Sequence, residues 1–135
     1  MKSQKRDNVG AWAVTFHDLA QPELLALSEG MQAQFLRIAE LLEEFGPQRV
    51  GMPHVRPLES KLWEIRLHDR DGIARAVYAA IQGRRLLVLH VFVKKTQTTP
   101  RSVIDTALNR LETYHENAQK HESQNAVQPA NSRRV

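Results

Sequence analysis

Trp12, Val14 and Phe16 alternate with Ala13, Thr15 and His17, and a period of two predicts a short strand. Asp18 to Ser28 carries Pro22 with Leu24, Leu25 and Leu27, and reads as a short helix that stops near Gly30. Met31, Phe35, Ile38, Leu42 and Phe45 then recur at helical spacing, with Gln32, Arg37, Glu40, Glu43 and Glu44 on the other face. That stripe marks an amphipathic helix facing a core, and Gly46-Pro47 ends it. Residues 46–60, with Gly46, Pro47, Gly51, Pro53 and Pro57, read as a loop.

Three closely spaced strands follow, over 62–68, 73–81 and 84–93. Asp69 to Gly72 and Gln82-Gly83 make the turns, where glycine supplies the backbone freedom of a hairpin. Short connections make this an antiparallel meander. Thr99 and Pro100 suit the cap and first position of a last helix, whose apolar stripe is Ile104, Ala107, Leu108, Leu111 and Tyr114. The expected fold is α+β: an N-terminal strand, a two-helix hairpin, a three-strand meander completing a four-stranded sheet, and a C-terminal helix. Residues 1–9 are expected to be flexible, 10–120 to form one domain, and 121–135 to be a disordered tail.

The turns fix a register. A four-residue loop at 69–72 pairs His68 with Ile73 and sets Arg66 opposite Arg75; a two-residue loop at 82–83 sets Arg75 opposite His90. Opposed residues share a face, so Arg66, Arg75 and His90 are expected to form a row, with Val77, Val88 and Phe92 on the same face. The other face carries Trp63, Ile65, Leu67, Ala74, Ala76, Tyr78, Leu87, Leu89 and Val91, and is assigned to the core under the helices. The cations then lie on an open face, where Arg75→Ala would leave the fold intact. Two arginines side by side are destabilising unless an anion neutralises them. That anion is either a bound phosphate, or Glu64 or a carboxylate of the last helix.

Charge sharpens the picture. The 135 residues carry a formal net charge of +4 and a sequence pI of about 9.8, which favours an anionic partner. The loop before the meander adds His54, Arg56 and Lys61, as either an RNA contact or a solvated surface. The 41% of hydrophobic residues support one modest core. No cysteine is present, which excludes disulfides and thiolate metal sites and suits a cytoplasmic setting. No apolar run reaches the length of a membrane span, and Met1 to Asn8 has no secretory pattern.

RNA can be cut without a metal by its own 2′-hydroxyl, given a base for that proton, a cation for the pentavalent phosphate and an acid for the leaving oxygen. Arginine presents a planar fork to phosphate, and histidine titrates near neutrality. Arg66, Arg75, His90, Lys94 and Lys95 are the candidates for this chemistry, with Lys61, His54, Arg56 and Thr96 as RNA contacts. The six histidines show no standard metal spacing, and no phosphate loop or dinucleotide motif occurs.

Leu62-Trp63-Glu64-Ile65-Arg66, Gly72-Ile73-Ala74-Arg75-Ala76-Val77-Tyr78 and the run from His90 through Lys94-Lys95-Thr96-Gln97 to Pro100 resemble the phage-derived Gp49-like branch of the RelE/HigB toxins, over roughly residues 11–118. The resemblance implies a RelE-like fold and the toxin of a type II toxin–antitoxin pair: a ribosome-dependent mRNA endoribonuclease that needs no cofactor. Its implied partners are a cognate antitoxin of helix-turn-helix type, held in a hetero-oligomer, together with the ribosome and mRNA; no membrane is implied. Arg75 resembles the phosphate-stabilising arginine of the family, Lys95 stands at the position of a second catalytic arginine, and Lys94 matches the lysine before it. Arg66 matches a basic residue of the preceding strand, whereas Glu64 replaces another. The alternative is a non-catalytic RNA- or protein-binding module of the same fold.

Overall fold

The computed structural model describes residues 11–95 and 98–134, with side chains through residue 120. In chain order the elements are β1 (Ala13–Phe16), α1 (Ala20–Leu25), α2 (Glu29–Phe45), β2 (Val55–Pro57), β3 (Trp63–Asp69), β4 (Gly72–Ile81), β5 (Arg85–Lys94) and α3 (Arg101–Arg134). The strands form one sheet in the order β1-β5-β4-β3-β2. β1 runs parallel to β5, and the other pairings are antiparallel. The expected α+β class holds, with five strands instead of four. β2 lies in the stretch read as a loop. Three residues ending in Pro57 make too short a run to show a period, and proline is tolerated there because β2 is an edge strand.

α2 begins where Ser28 Oγ accepts from the Met31 N–H at 3.1 Å, an N-cap of ordinary kind. It ends where the Gly46 N–H donates to the Leu42 carbonyl at 2.8 Å. Gly46 sits at φ 86°, a conformation that favours glycine. The apolar stripe Met31, Phe35, Ile38 and Leu42 packs on Ile65, Leu67, Ala74, Ala76, Tyr78, Leu86, Val88 and Val91. The buried alanines of β4 let the helices lie close to the sheet. α2 also closes the edge of β3 beyond the end of β2. There Gln34 acts as a substitute strand, its Oε1 accepting from the His68 N–H at 3.0 Å and its amide donating to the His68 carbonyl.

The opposite face holds a second core, in which Leu62, Val77, Ala79, Leu87 and Leu89 pack against Val103, Ile104 and Ala107 of α3. This corrects two expectations. The face is not open, because α3 covers part of it. Leu87 and Leu89 belong to this side, and Val88 to the side of α1 and α2. The cause is the β4–β5 connection, which pairs Ile81 with Arg85 and leaves three residues in the loop. Arg84 takes φ 56° there. α3 continues to Arg134, so helical backbone extends into residues 121–134, read from sequence as a tail. Alanine, glutamine, glutamate and lysine in that stretch have favourable helix propensity. The flexible segment expected at 1–9 lies outside the described residues.

Tyr78 is 1% exposed, and its hydroxyl has no hydrogen-bond partner; burial pushes its pKa above the ordinary phenol range. Tyr78→Phe removes a buried unsatisfied group and should raise stability by about 1 kcal/mol. Urea unfolding checks this, and a loss of stability would show that the hydroxyl is paired in solution.

Candidate functional site: a cationic sheet face

The predicted register of β3 and β4 is the observed one: Arg66 lies opposite Arg75. The turn is tighter than expected, because Asp69 and Gly72 also pair, but the alignment is unchanged. Arg56 lies opposite Glu64, and Glu64 and Arg66 share a face because side chains alternate along a strand. On the far side Phe92 lies opposite Arg75 and Lys94 opposite Ile73. Arg56, Arg66, Arg75 and Lys94, from four adjacent strands, therefore share one end of a sheet face, with Glu64 among them.

Arg75 is 5% exposed and Glu64 1%. Arg75 Nε stands 3.5 Å from Glu64 Oε2 without making a hydrogen bond, and it is a buried donor with no partner. Nη1 donates to the Ala74 carbonyl at 2.9 Å. Glu64 Oε1 accepts from the Thr99 hydroxyl at 3.1 Å, which ties the lead-in of α3 to the cluster. Glu64 thus supplies the neutralising carboxylate allowed for in the sequence reading, and it pairs with Arg75. Burial and the neighbouring cations act together on Arg75 and Lys94. Burial lowers the Arg75 pKa, and Arg66 and Arg56 lower it further against the pull of Glu64. Lys94 is lowered by burial and then by Arg75, Arg56 and Arg66, with Glu64 opposing. A face that disfavours its own positive charge suits an anionic ligand such as a phosphodiester, whose single negative charge grows in a pentavalent transition state.

The expectation that Arg75 is an exposed side chain, dispensable to the fold, is overturned. Removing it would strand a buried carboxylate. A cleft of about 740 Å³ adjoins the cluster, lined by Arg66 and Arg75 together with Arg37, His54 and His68 and with the carboxylates Glu40 and Glu44.

His90 is diverted from the row. It lies opposite Val77, not Arg75, because of the longer turn and a shift of register between Val77 and Tyr78. Its Nδ1 is 3.0 Å from Glu23 Oε1, and its ring stacks on Phe92 at 5.4 Å between centroids. Glu23 also accepts two bonds from Arg110, each 3.0 Å long. Glu23 and Arg110 were missed in the sequence. The signal was there for Arg110, which falls three residues after Ala107 on the sheet-facing side of α3, where an arginine needs a buried acceptor. Lys61 and Lys95 are exposed and outside the cluster, His54 reaches the cleft, and Thr96 lies outside the described residues. Among the described residues no three side chains of metal-ligating type come together, and no helix is long and apolar enough to cross a membrane.

A family model described as "Phage derived protein Gp49-like (DUF891)" matches residues 22–112. The chain belongs to the Gp49-like family. Among solved structures, this Gp49-like chain is similar to a free-state mutant of the E. coli toxin RelE, at 20% identity and a TM-score of 0.56, over 74% of this chain and 97% of that one. That likeness gives the Gp49-like chain a RelE-like fold. Further matches are to RelE in an archaeal RelE–RelB complex from Pyrococcus horikoshii OT3, with 22% identity, a TM-score of 0.47, 62% of this chain and 94% of that one. Another is to the toxin–antitoxin complex RelBE2 from Mycobacterium tuberculosis, with 19% identity, a TM-score of 0.44, 62% of this chain and 92% of that one. No curated protein matches the chain in sequence.

Proposed function

We propose that this chain is the toxin of a type II toxin–antitoxin pair and cleaves mRNA on the ribosome without a metal. The observation that carries the reading is the cluster of Arg56, Arg66, Arg75 and Lys94 around Glu64, with a buried Arg75 donor left without a partner. That arrangement suits a phosphodiester whose charge rises in a pentavalent transition state. Arg75 and Lys94 face the phosphate, while Arg56 and Arg66 hold the flanking backbone. Glu64 keeps the Arg75 guanidinium in place and is the carboxylate within the cluster able to take up the 2′-hydroxyl proton. The Gp49-like family and the RelE-like fold add to the reading. In this proposal an antitoxin with an acidic segment covers the cations.

The test is induced expression in bacteria with mapping of mRNA ends. Growth arrest with fragments ending at the ribosomal A site is the expected result. Growth arrest with intact mRNA would overturn the nuclease reading and leave a toxin with another target. Purified protein is further expected to cut naked RNA slowly and to be indifferent to EDTA, because the ribosome orients the substrate. Rapid cleavage of free RNA that EDTA abolishes would contradict this.

A second reading, a non-catalytic RNA-binding module, draws on the same cluster. The near-complete burial of Glu64 favours it, since a proton acceptor must reach its substrate. Binding of RNA without cleavage on translating ribosomes would select it.

A further inference from the structure

The β4–β5 ladder changes register once. Tyr78 lies opposite Val88, but Val77 lies opposite His90, so Leu89 is an extra residue on β5. This bulge decides which side chains of β5 join the cationic face. Continued without it, the ladder that starts at Ile81 and Arg85 would bring Val91 opposite Arg75 and Val93 opposite Ile73. Lys94 would then turn to the side of α1 and α2, because a slip of one residue exchanges the faces. With the bulge, Phe92 lies opposite Arg75 and Lys94 opposite Ile73.

A bulge takes backbone groups out of the ladder, and here their partners are specific. The carbonyls of the consecutive residues Val88 and Leu89 both accept from outside β4. The first takes the His17 N–H at 2.8 Å, and the second takes Arg110 Nη1 at 2.8 Å. In a regular strand successive carbonyls point to opposite sides. The Val91 N–H donates to Glu23 Oε1 at 2.9 Å. His90 Nδ1 is 3.0 Å from the same oxygen, and Arg110 grips both oxygens of Glu23. β1 has ended at Phe16, so this stretch of β5 is paired with β4 on one side and has no strand on the other. Glu23 from α1 and Arg110 from α3 stand in that place.

We propose that the Glu23–Arg110 pair is a positioning device. It captures the Leu89 carbonyl and the Val91 N–H, holds the bulge, and so sets the register that brings Lys94 onto the face with Arg75. The pair lies outside the cationic cluster and acts on it only through the backbone of β5. The inference rests on the reading of that face as an RNA site, but the register itself is measurable without RNA.

The test uses the full chain with Glu23→Leu/Arg110→Met, which removes both charges together and leaves neither buried alone. In the native protein the pairing of Arg75 with Phe92 should give a cross-strand nuclear Overhauser effect between them. In the double variant it is expected to vanish and a contact between Arg75 and Val91 to appear. Lys94→Ala should weaken binding of a short RNA oligonucleotide about tenfold in the native background, the scale of one charged hydrogen bond. In the double variant it should have no effect. A merely structural pair would lower the melting temperature and leave both readouts as they are. A folded double variant that keeps the Arg75–Phe92 contact overturns the proposal. If the double variant fails to fold, Arg110→Gln is read in the same way: its amide has two N–H donors for the three acceptors that Arg110 serves, both Glu23 oxygens and the Leu89 carbonyl, so an unchanged register there overturns it too. Should Lys94→Ala bind RNA as the native protein does, the RNA reading of the face fails, while the Arg75 contacts still decide the register.

Discussion

Arg75→Lys is expected to slow RNA cleavage by about 100- to 1,000-fold, the usual loss when a preorganised donor to developing charge is removed, in a chain that stays folded. Lysine keeps a positive charge against Glu64 but cannot present the two-pronged planar fork that matches a phosphate. Arg75→Ala confounds this test. With Glu64 1% exposed, it leaves a buried carboxylate uncompensated and should cost about 3–5 kcal/mol of stability, so lost activity would not separate chemistry from unfolding. The measurement is single-turnover cleavage of ribosome-bound mRNA by Arg75→Lys, alongside its urea denaturation curve. Native rates from a folded Arg75→Lys protein would remove the guanidinium from the mechanism.

The pairing of Arg66 with Arg75 was legible because two independent signals agree on it. The apolar alternation through Ile65, Leu67, Ala74 and Ala76 and the glycine turn at 72 permit only one register. The position of His90 was not legible, because a three-residue turn and a bulge each displace the β4–β5 register and neither leaves a mark in the hydrophobic pattern. Leu86, Leu87, Val88 and Leu89 are all buried, and a run that is apolar at every position has no period by which to choose its faces. The same run concealed the fact that α3 covers the second face, since a strand buried on both sides cannot be told from one buried on one side by alternation. Clustering Arg56 with Arg75 required β2, whose three residues are too few to read. Glu64 was visible as a possible neutraliser but not as the centre of the cluster, because that depends on the diagonal between Glu64 and Arg75 and not on a direct pairing.

Arg110→Met should destabilise the chain strongly and alter its response to acid. A buried ion pair broken on one side typically costs about 3–5 kcal/mol, and the cost here belongs toward the lower end because the Glu23 side chain keeps 26% of its exposure. Burial alone would raise the pKa of Glu23. Hydrogen bonds from Arg110, the Val91 N–H and His90, with the charge of His90, outweigh it and hold the pKa below 4.5. A carboxylate whose pKa is depressed by folding stabilises the fold above its unfolded value, and loses that contribution as pH falls through the folded value. Native protein should therefore lose this contribution as pH drops from about 4.5 downward. His17 adds to the loss at higher pH. Its pKa is lowered from 6.5 by burial and then by Arg110, with Asp18 and Glu23 opposing, so protonation favours the unfolded chain as pH falls below 6.5. Arg110→Met removes the largest of the groups that depress Glu23, while burial continues to raise it. The folded pKa of Glu23 then rises, and mild acidification should relieve a destabilised carboxylate instead of breaking an ion pair. The lowering of His17 should shrink as well. Melting temperatures of both proteins from pH 7 to about pH 3 test this. The native protein should lose stability more steeply over that range than the variant; parallel curves would mean that Glu23 titrates alike in both and that Arg110 does not hold it.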